Sequence, residues 1–352
     1  MREAYSTQLG RDLRKPERVM RRLQMRHRFF VLWALAAVIA VALLAPASDA
    51  GQARTAADRW TAPRTPWGHP DLQGMWSNTT TTRLERPPDL GQKAALTEQE
   101  RAALDEQAAQ RQDRRPPPGN TGAYNSFWME GGKASRRTSL VIDPADGSLP
   151  FTPEARKRAD AFNANINGDG TADSWEDRNL YERCITRGLP GAMMPGFYNH
   201  NYQILQTPDY VVVLVEMIHD ARIIPLDGRS HLAQGIRQWL GDSRGRWDGN
   251  TLIVETTNFT DRVKDTGLTV FGIGQNARLV ERFTRVDAET IDYQITVNDP
   301  GVFTRPWTAA IPMTRIKGPL FEYACHEGNY GLEDILKGAR TREKTATKTG
   351  SR

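Results

Sequence analysis

Cysteine is almost missing from this chain of 352 residues, with Cys184 and Cys325 the only two. Histidine is scarce as well, at six. Net charge disappears once the N-terminal segment is set aside. Residues 1 to 30 carry nine Arg or Lys against three acids, and from Gly51 onward the charges balance, so the formal +5 belongs to the beginning of the chain. A folded part with no basic stripe lacks the electrostatic footprint of a nucleic-acid binder. Nor does the chain carry a serine-nucleophile elbow: GDSRG places Ser243 between glycines but shows neither the required pattern nor a strand-to-helix turn.

Long apolar runs are absent except one. Residues 29 to 45, FFVLWALAAVIAVALLA, follow the basic MRRLQMRHR and precede PASDAGQA, whose small residues suit cleavage after Ala50 or Ala53. Residues 1 to 53 therefore read as a basic segment and an export signal. The alternative is an uncleaved N-terminal anchor, since the run is at the short edge of what spans a bilayer. Either way the folded part is expected to be periplasmic or secreted, touching a membrane only during export or through that anchor. An oxidising compartment favours pairing Cys184 with Cys325, and closing so long a loop contributes roughly 4 kcal/mol in the chain-entropy picture.

From residue 54 to 198 the chain is rich in Pro, Thr, Gln and charge, and reads as an irregular arm with short helices. One helix is signalled by Thr97 with Glu100 three residues later, and another by Thr152 before PEARKRADAFNA. Residues 199 to 326 differ. QILQTPDYVVVLVEM, ARIIPLDG, GRWDGNTLIVETT, RLVERFTRVDAETIDYQITV and PWTAAIPMTRI are short β-branched and aromatic runs broken by turn chemistry, including a hairpin at Asp248-Gly249. About eight or nine such strands with short links close most easily into an antiparallel up-and-down barrel or a strongly curled sheet. Residues 327 to 352 add a short helix in GLEDILKGAR and a tail expected to be disordered.

In DLQGMWSNT, Gly74 and Trp76 form a Gly-x-Trp pattern that resembles the first strand of lipocalins and their calycin relatives. That resemblance implies a calycin-like barrel. The chain as a whole resembles exported bacterial proteins, a likeness that implies a compartment and no activity.

Three groups of residues are candidates for chemistry. Cys325 and His326 adjoin each other; if FEYACH is a strand they point to opposite faces, which removes a thiolate–base pair and leaves the crosslink. The second candidate is NINGDGTADSWE. Asn165, Asn167, Asp169, Asp173 and Glu176 fall at the first, third, fifth, ninth and twelfth places of an EF-hand calcium loop, although the first is Asn and no partner hand follows. Its alternative is an Asn/Gly/Asp turn, and no other cofactor is expected.

The third depends on strand register. A two-residue turn at Pro208-Asp209 makes paired residue numbers add to 417, setting Tyr202 opposite Val215, His200 opposite Met217 and Tyr198 opposite His219. Val211, Val213, Val215 and Met217 mark the interior face, and Glu216 marks the other. A second turn at His219-Asp220 would pair Met217 with Arg222 and Val215 with Ile224. Tyr198, His200, His219 and Arg222 would then converge at one barrel mouth, where histidines titrating near neutrality could exchange a proton with a bound group. Two histidines make an incomplete zinc site.

Taken together, the sequence points to an exported barrel that binds an amphipathic small molecule at its mouth, with His-based acid/base catalysis as an extension. The alternatives are a pure carrier, lined by Val213, Val215, Ile224, Phe283 and Tyr293, and an envelope interaction or structural protein with a filled barrel.

Overall fold

The computed structural model describes residues 60–112, 129–167, 172–262 and 273–350. The export segment therefore lies outside the described residues. The fold that follows is that of the compact unit Thr61–Arg352.

Ten strands form one antiparallel sheet: β1 Gly74–Ser77, β2 Val141–Asp143, β3 Asn201–Gln206, β4 Tyr210–Val215, β5 Ala221–Pro225, β6 Asp242–Asp248, β7 Thr251–Thr257, β8 Arg278–Arg285, β9 Thr290–Asn298 and β10 Trp307–Arg315. Their order is β5-β4-β3-β1-β10-β9-β8-β7-β6, with β2 added beside β10. The sheet is nearly closed into a barrel. Its edges β5 and β6 lie together without a ladder, and at that seam a methyl on Gly245 would come within 2.7 Å of Leu226 and 2.8 Å of Ile224. Glycine is needed there because the neighbouring strand's side chains take the space.

The antiparallel barrel expected from the strand pattern is thus present, with one difference in its membership. β1 precedes β3 by more than a hundred residues, yet it pairs with β3 and β10 and completes the wall. Trp76 explains why a four-residue strand from the arm is recruited. Its indole is fully buried, donates to the Leu72 carbonyl at 3.0 Å, and lies beneath the guanidinium groups of Arg315 and Arg285, at 5.0 and 5.7 Å from the ring centre. Large aromatic burial of this kind outweighs the weak pairing of so short a strand.

Alternation is strict along β3, β4, β8 and β9, and inward residues from both halves fill the interior. Trp76, Tyr202, Phe283, Tyr293 and Trp307 all belong to one core cluster and are almost wholly shielded from water. Among the described residues three α-helices accompany the sheet: α1 Glu98–Gln112, α2 Pro153–Asn167 and α3 Tyr330–Gly350. α1 opens with a capping box, Thr97 Oγ1 accepting from Glu100 N–H at 3.2 Å while the Glu100 carboxylate accepts from Thr97 N–H at 2.8 Å. Thr152 accepts likewise from Ala155 N–H at the start of α2. At the other end α3 runs through Gly350, so the expected C-terminal tail is helical through that residue.

The 417 register holds from Tyr202↔Val215 to Gln206↔Val211. The next hairpin requires a correction. Arg222 pairs with Val213 and Ile224 with Val211, four residues from the expected partners. The reason is local: Met217–His219 forms a 3-10 turn with Ile218 at φ 63 and His219 at φ 52, and Val215 N–H donates to the Asp220 carbonyl beyond it. A four-residue shift is even, so Arg222 still points inward. FEYACH is also corrected, since residues 321 to 326 form no strand. They make a strap held by the Cys184–Cys325 disulfide, with the two Cα atoms 5.6 Å apart.

Candidate functional site

The four residues expected at one mouth have different surroundings. Arg222 is 3% exposed and makes a two-pronged ion pair with Glu281, at 2.9 and 2.5 Å, while Tyr293 donates its hydroxyl to Glu281 Oε1 at 2.9 Å. Both Glu281 oxygens are answered within the barrel, while Arg222 Nε is buried without a hydrogen-bond partner among the described residues. Burial and the Glu281 charge push the Tyr293 hydroxyl well above the usual tyrosine range.

His200 is also closed off. It is 5% exposed, and its Nε2 sits 2.6 Å from Arg187 Nη1. Because a guanidinium only donates, Nε2 must accept, and the ring is neutral. Burial, reinforced by the Arg187 charge, pushes the imidazole down to about 3. Gly196 packs so closely that a methyl there would stand 2.0 Å from Nε2. Arg187 itself is 8% exposed, has the Tyr181 ring 5.6 Å away, and makes no ion pair among the described residues. An imidazole so placed is a structural acceptor and not a proton shuttle at neutral pH.

His219 faces the strap. Exposed, it donates Nδ1–H to the Tyr323 carbonyl at 3.1 Å, and its ring centre lies 6.0 Å from that of His326. Tyr198 meets the edge of Tyr323 at 6.4 Å. Tyr198 and Tyr323 line a groove of about 910 Å³ together with Glu130, Asn199, Asn201, Glu216, Phe321 and Glu322.

Register builds this groove. The ladder ends at Tyr202 and Val215, and one step beyond it Asn201, whose β3 neighbour Tyr202 points inward, meets Glu216 at the start of the 3-10 turn. Glu216 N–H donates to the Asn201 carbonyl at 3.0 Å, and Asn201 Nδ2 donates to Glu216 Oε2 at 2.7 Å. The same amide reaches Glu130 Oε1 at 3.3 Å. Glu216 Oε1 accepts from Phe321 N–H at 2.8 Å, which joins the strap to the strand end. Asn329 donates to the Glu182 carbonyl and, with the disulfide, holds the far side of the strap.

Two carboxylates that share one amide are like charges near enough to shift each other's protonation. Their fates differ. Both oxygens of Glu216 are bonded, and the side chain is buried. Glu130 Oε2 is shut from solvent without a hydrogen bond among the described residues. Burial pushes the Glu130 carboxyl up, and the Glu216 charge pushes it the same way, against the backbone N–H groups of Asn199, Glu130 and His200.

The calcium loop finds a different local structure. α2 continues through Asn165 and Asn167, so the first and third ligand places are helical backbone, and Asp169 lies outside the described residues. Asp173 is close to Arg340, and Glu176 belongs to a 3-10 turn capped by Ser174. Among the described residues no group of three His, Cys, Asp or Glu is arranged to hold a metal.

Glu130, Asn201 and Glu216 were not among the residues singled out by sequence. A signal for two of them existed: Glu216 ends the run VVVLVEM, and the 417 pairing gives it Asn201 as partner. Glu130, between FWM and GG, has no such signal. No family model, curated protein or solved structure matches the chain.

Proposed function

We propose that the protein binds an amphipathic small molecule in the groove at the β3–β4 end, beneath the disulfide-tethered strap. Glu130, and not the buried His200, is the group placed to exchange a proton with what binds. The observation that carries this reading is the groove itself, where the Asn201-bridged Glu130 and Glu216 converge beside the rings of Tyr198, Phe321 and Tyr323. The filled interior argues against a carrier that encloses its cargo within the strands. A disulfide closing the groove suits an exported, oxidising setting, in keeping with the signal-like N-terminal segment and the calycin resemblance of Gly74 and Trp76.

Native mass spectrometry of protein isolated from its original host tests the reading. A retained small-molecule mass is expected in the parent and should be absent from folded Glu130→Gln. Protein that carries no such mass, or keeps it unchanged in the variant, would contradict it.

A further inference from the structure

We propose that the ligand of this groove is an organic cation, an ammonium head set against Glu130 and Glu216 with an apolar body against Tyr198, Phe321 and Tyr323. This rests on the groove being the binding site and adds the chemical class of what enters it.

Charge is the first argument. The side chains lining the groove include Glu130, Glu216 and Glu322 and, among the described residues, no Lys or Arg. A neutral ligand leaves the repulsion between the Asn201-bridged carboxylates in place, and an anion increases it. An ammonium removes it, because it brings three donors and no acceptor. The ammonium is set against the Asn201-bridged pair as a whole, since Glu130 Oε2 itself is shut from solvent in the ligand-free protein.

The lining supplies the second argument. Tyr198 and Tyr323 meet edge to face, and Phe321, 72% exposed, stands on the strap above them. Aromatic rings beside carboxylates are the usual surroundings of substituted ammonium groups, whose charge is attracted to ring faces while their carbon atoms need apolar contact. A bare metal ion would use the carboxylates and not the rings. The opposing charge is Arg187, which is buried against His200 and absent from the groove lining. It makes an anionic ligand the informative rival.

Isothermal titration calorimetry on the full chain can separate the classes with three probes that share a phenyl body: 2-phenylethylamine, 2-phenylethanol and phenylacetate. At neutral pH the amine should bind at least about tenfold more tightly than the alcohol, the factor that one charge-assisted contact supplies. Phenylacetate should bind most weakly. Glu130→Gln, checked for folding by circular dichroism, should bring amine and alcohol within about twofold of each other. Should that variant not fold, Glu322→Gln at the groove rim must weaken the amine and leave the alcohol unchanged.

Alcohol binding as tight as amine binding overturns the cation assignment and leaves the groove standing, and so does phenylacetate binding tightest. If none of the three binds while a retained mass is still lost on Glu130→Gln, the cation assignment falls alone. If there is no retained mass either, both readings fall.

Discussion

Glu281, inside the curved sheet, and Glu130, bonded to Asn201 of β3, are acids whose surroundings differ in one decisive respect. Inside, Glu281 is fully buried and receives two hydrogen bonds from Arg222 and one from Tyr293. Glu130 shares one amide with Glu216 and keeps an oxygen without a partner. A polar network that closes on itself specifies a structure, whereas one that stays open in a groove is available to a ligand. His200 belongs with the first kind although its residue type suggested the second.

The largest expected effect tests the closed side. Glu281→Ala strands Arg222 as a buried charge and should cost about 3–5 kcal/mol in denaturant unfolding, while exchanging both partners for apolar residues should cost much less. Next is the strap. Replacing Cys184 and Cys325 by serine should lower stability by about 2–4 kcal/mol and abolish ligand retention, because the groove loses a wall. If retention survives, the strap is not part of the site.

Gly196→Ala drives a methyl into the His200 ring and should cost about 1–3 kcal/mol by overpacking. The same histidine gives a pH dependence of known sign. Its folded value of about 3 lies below the unfolded 6.5, so as pH falls the unfolded chain takes the proton first and stability is lost between those limits. Thermal unfolding should register a loss of roughly 1 kcal/mol over the first unit below 6.5, and His200→Gln should flatten that part of the profile. A profile unchanged by the substitution would mean that His200 is accessible and belongs on the open side. The smallest stability change is expected for Glu130→Gln, within about 1 kcal/mol of the parent. A large loss there would place Glu130 with Glu281 and erase the contrast.

Much of the barrel was legible in the sequence because alternation and a Pro-Asp turn fix which side chains face inward. The 417 register follows from those residues alone, and so does the inward aim of Arg222. Its partner strand position did not, because a left-handed Ile218-His219 pair inside a 3-10 turn is invisible to a pattern that expects two-residue turns. The role of β1 was hidden for a different reason. The Gly74-x-Trp76 pattern resembles a first barrel strand, but its place between β3 and β10 comes only from the tertiary burial of Trp76. His200 is silenced by burial, and His219 is exposed against the strap. Asn201 and Glu216 sit one residue further along, where the amide bridges Glu216 to Glu130, and Glu130, the acid with an unpartnered oxygen, comes from a segment with no strand pattern of its own.

The contrast between closed and open acids is tested most directly by a carbon-13 NMR titration of the Glu130 side-chain carboxyl in ligand-free protein. A midpoint above the ordinary glutamate value of 4.5 is expected, falling when Glu216→Gln removes the neighbouring charge. A midpoint at or below 4.5, unmoved by that substitution, would contradict it.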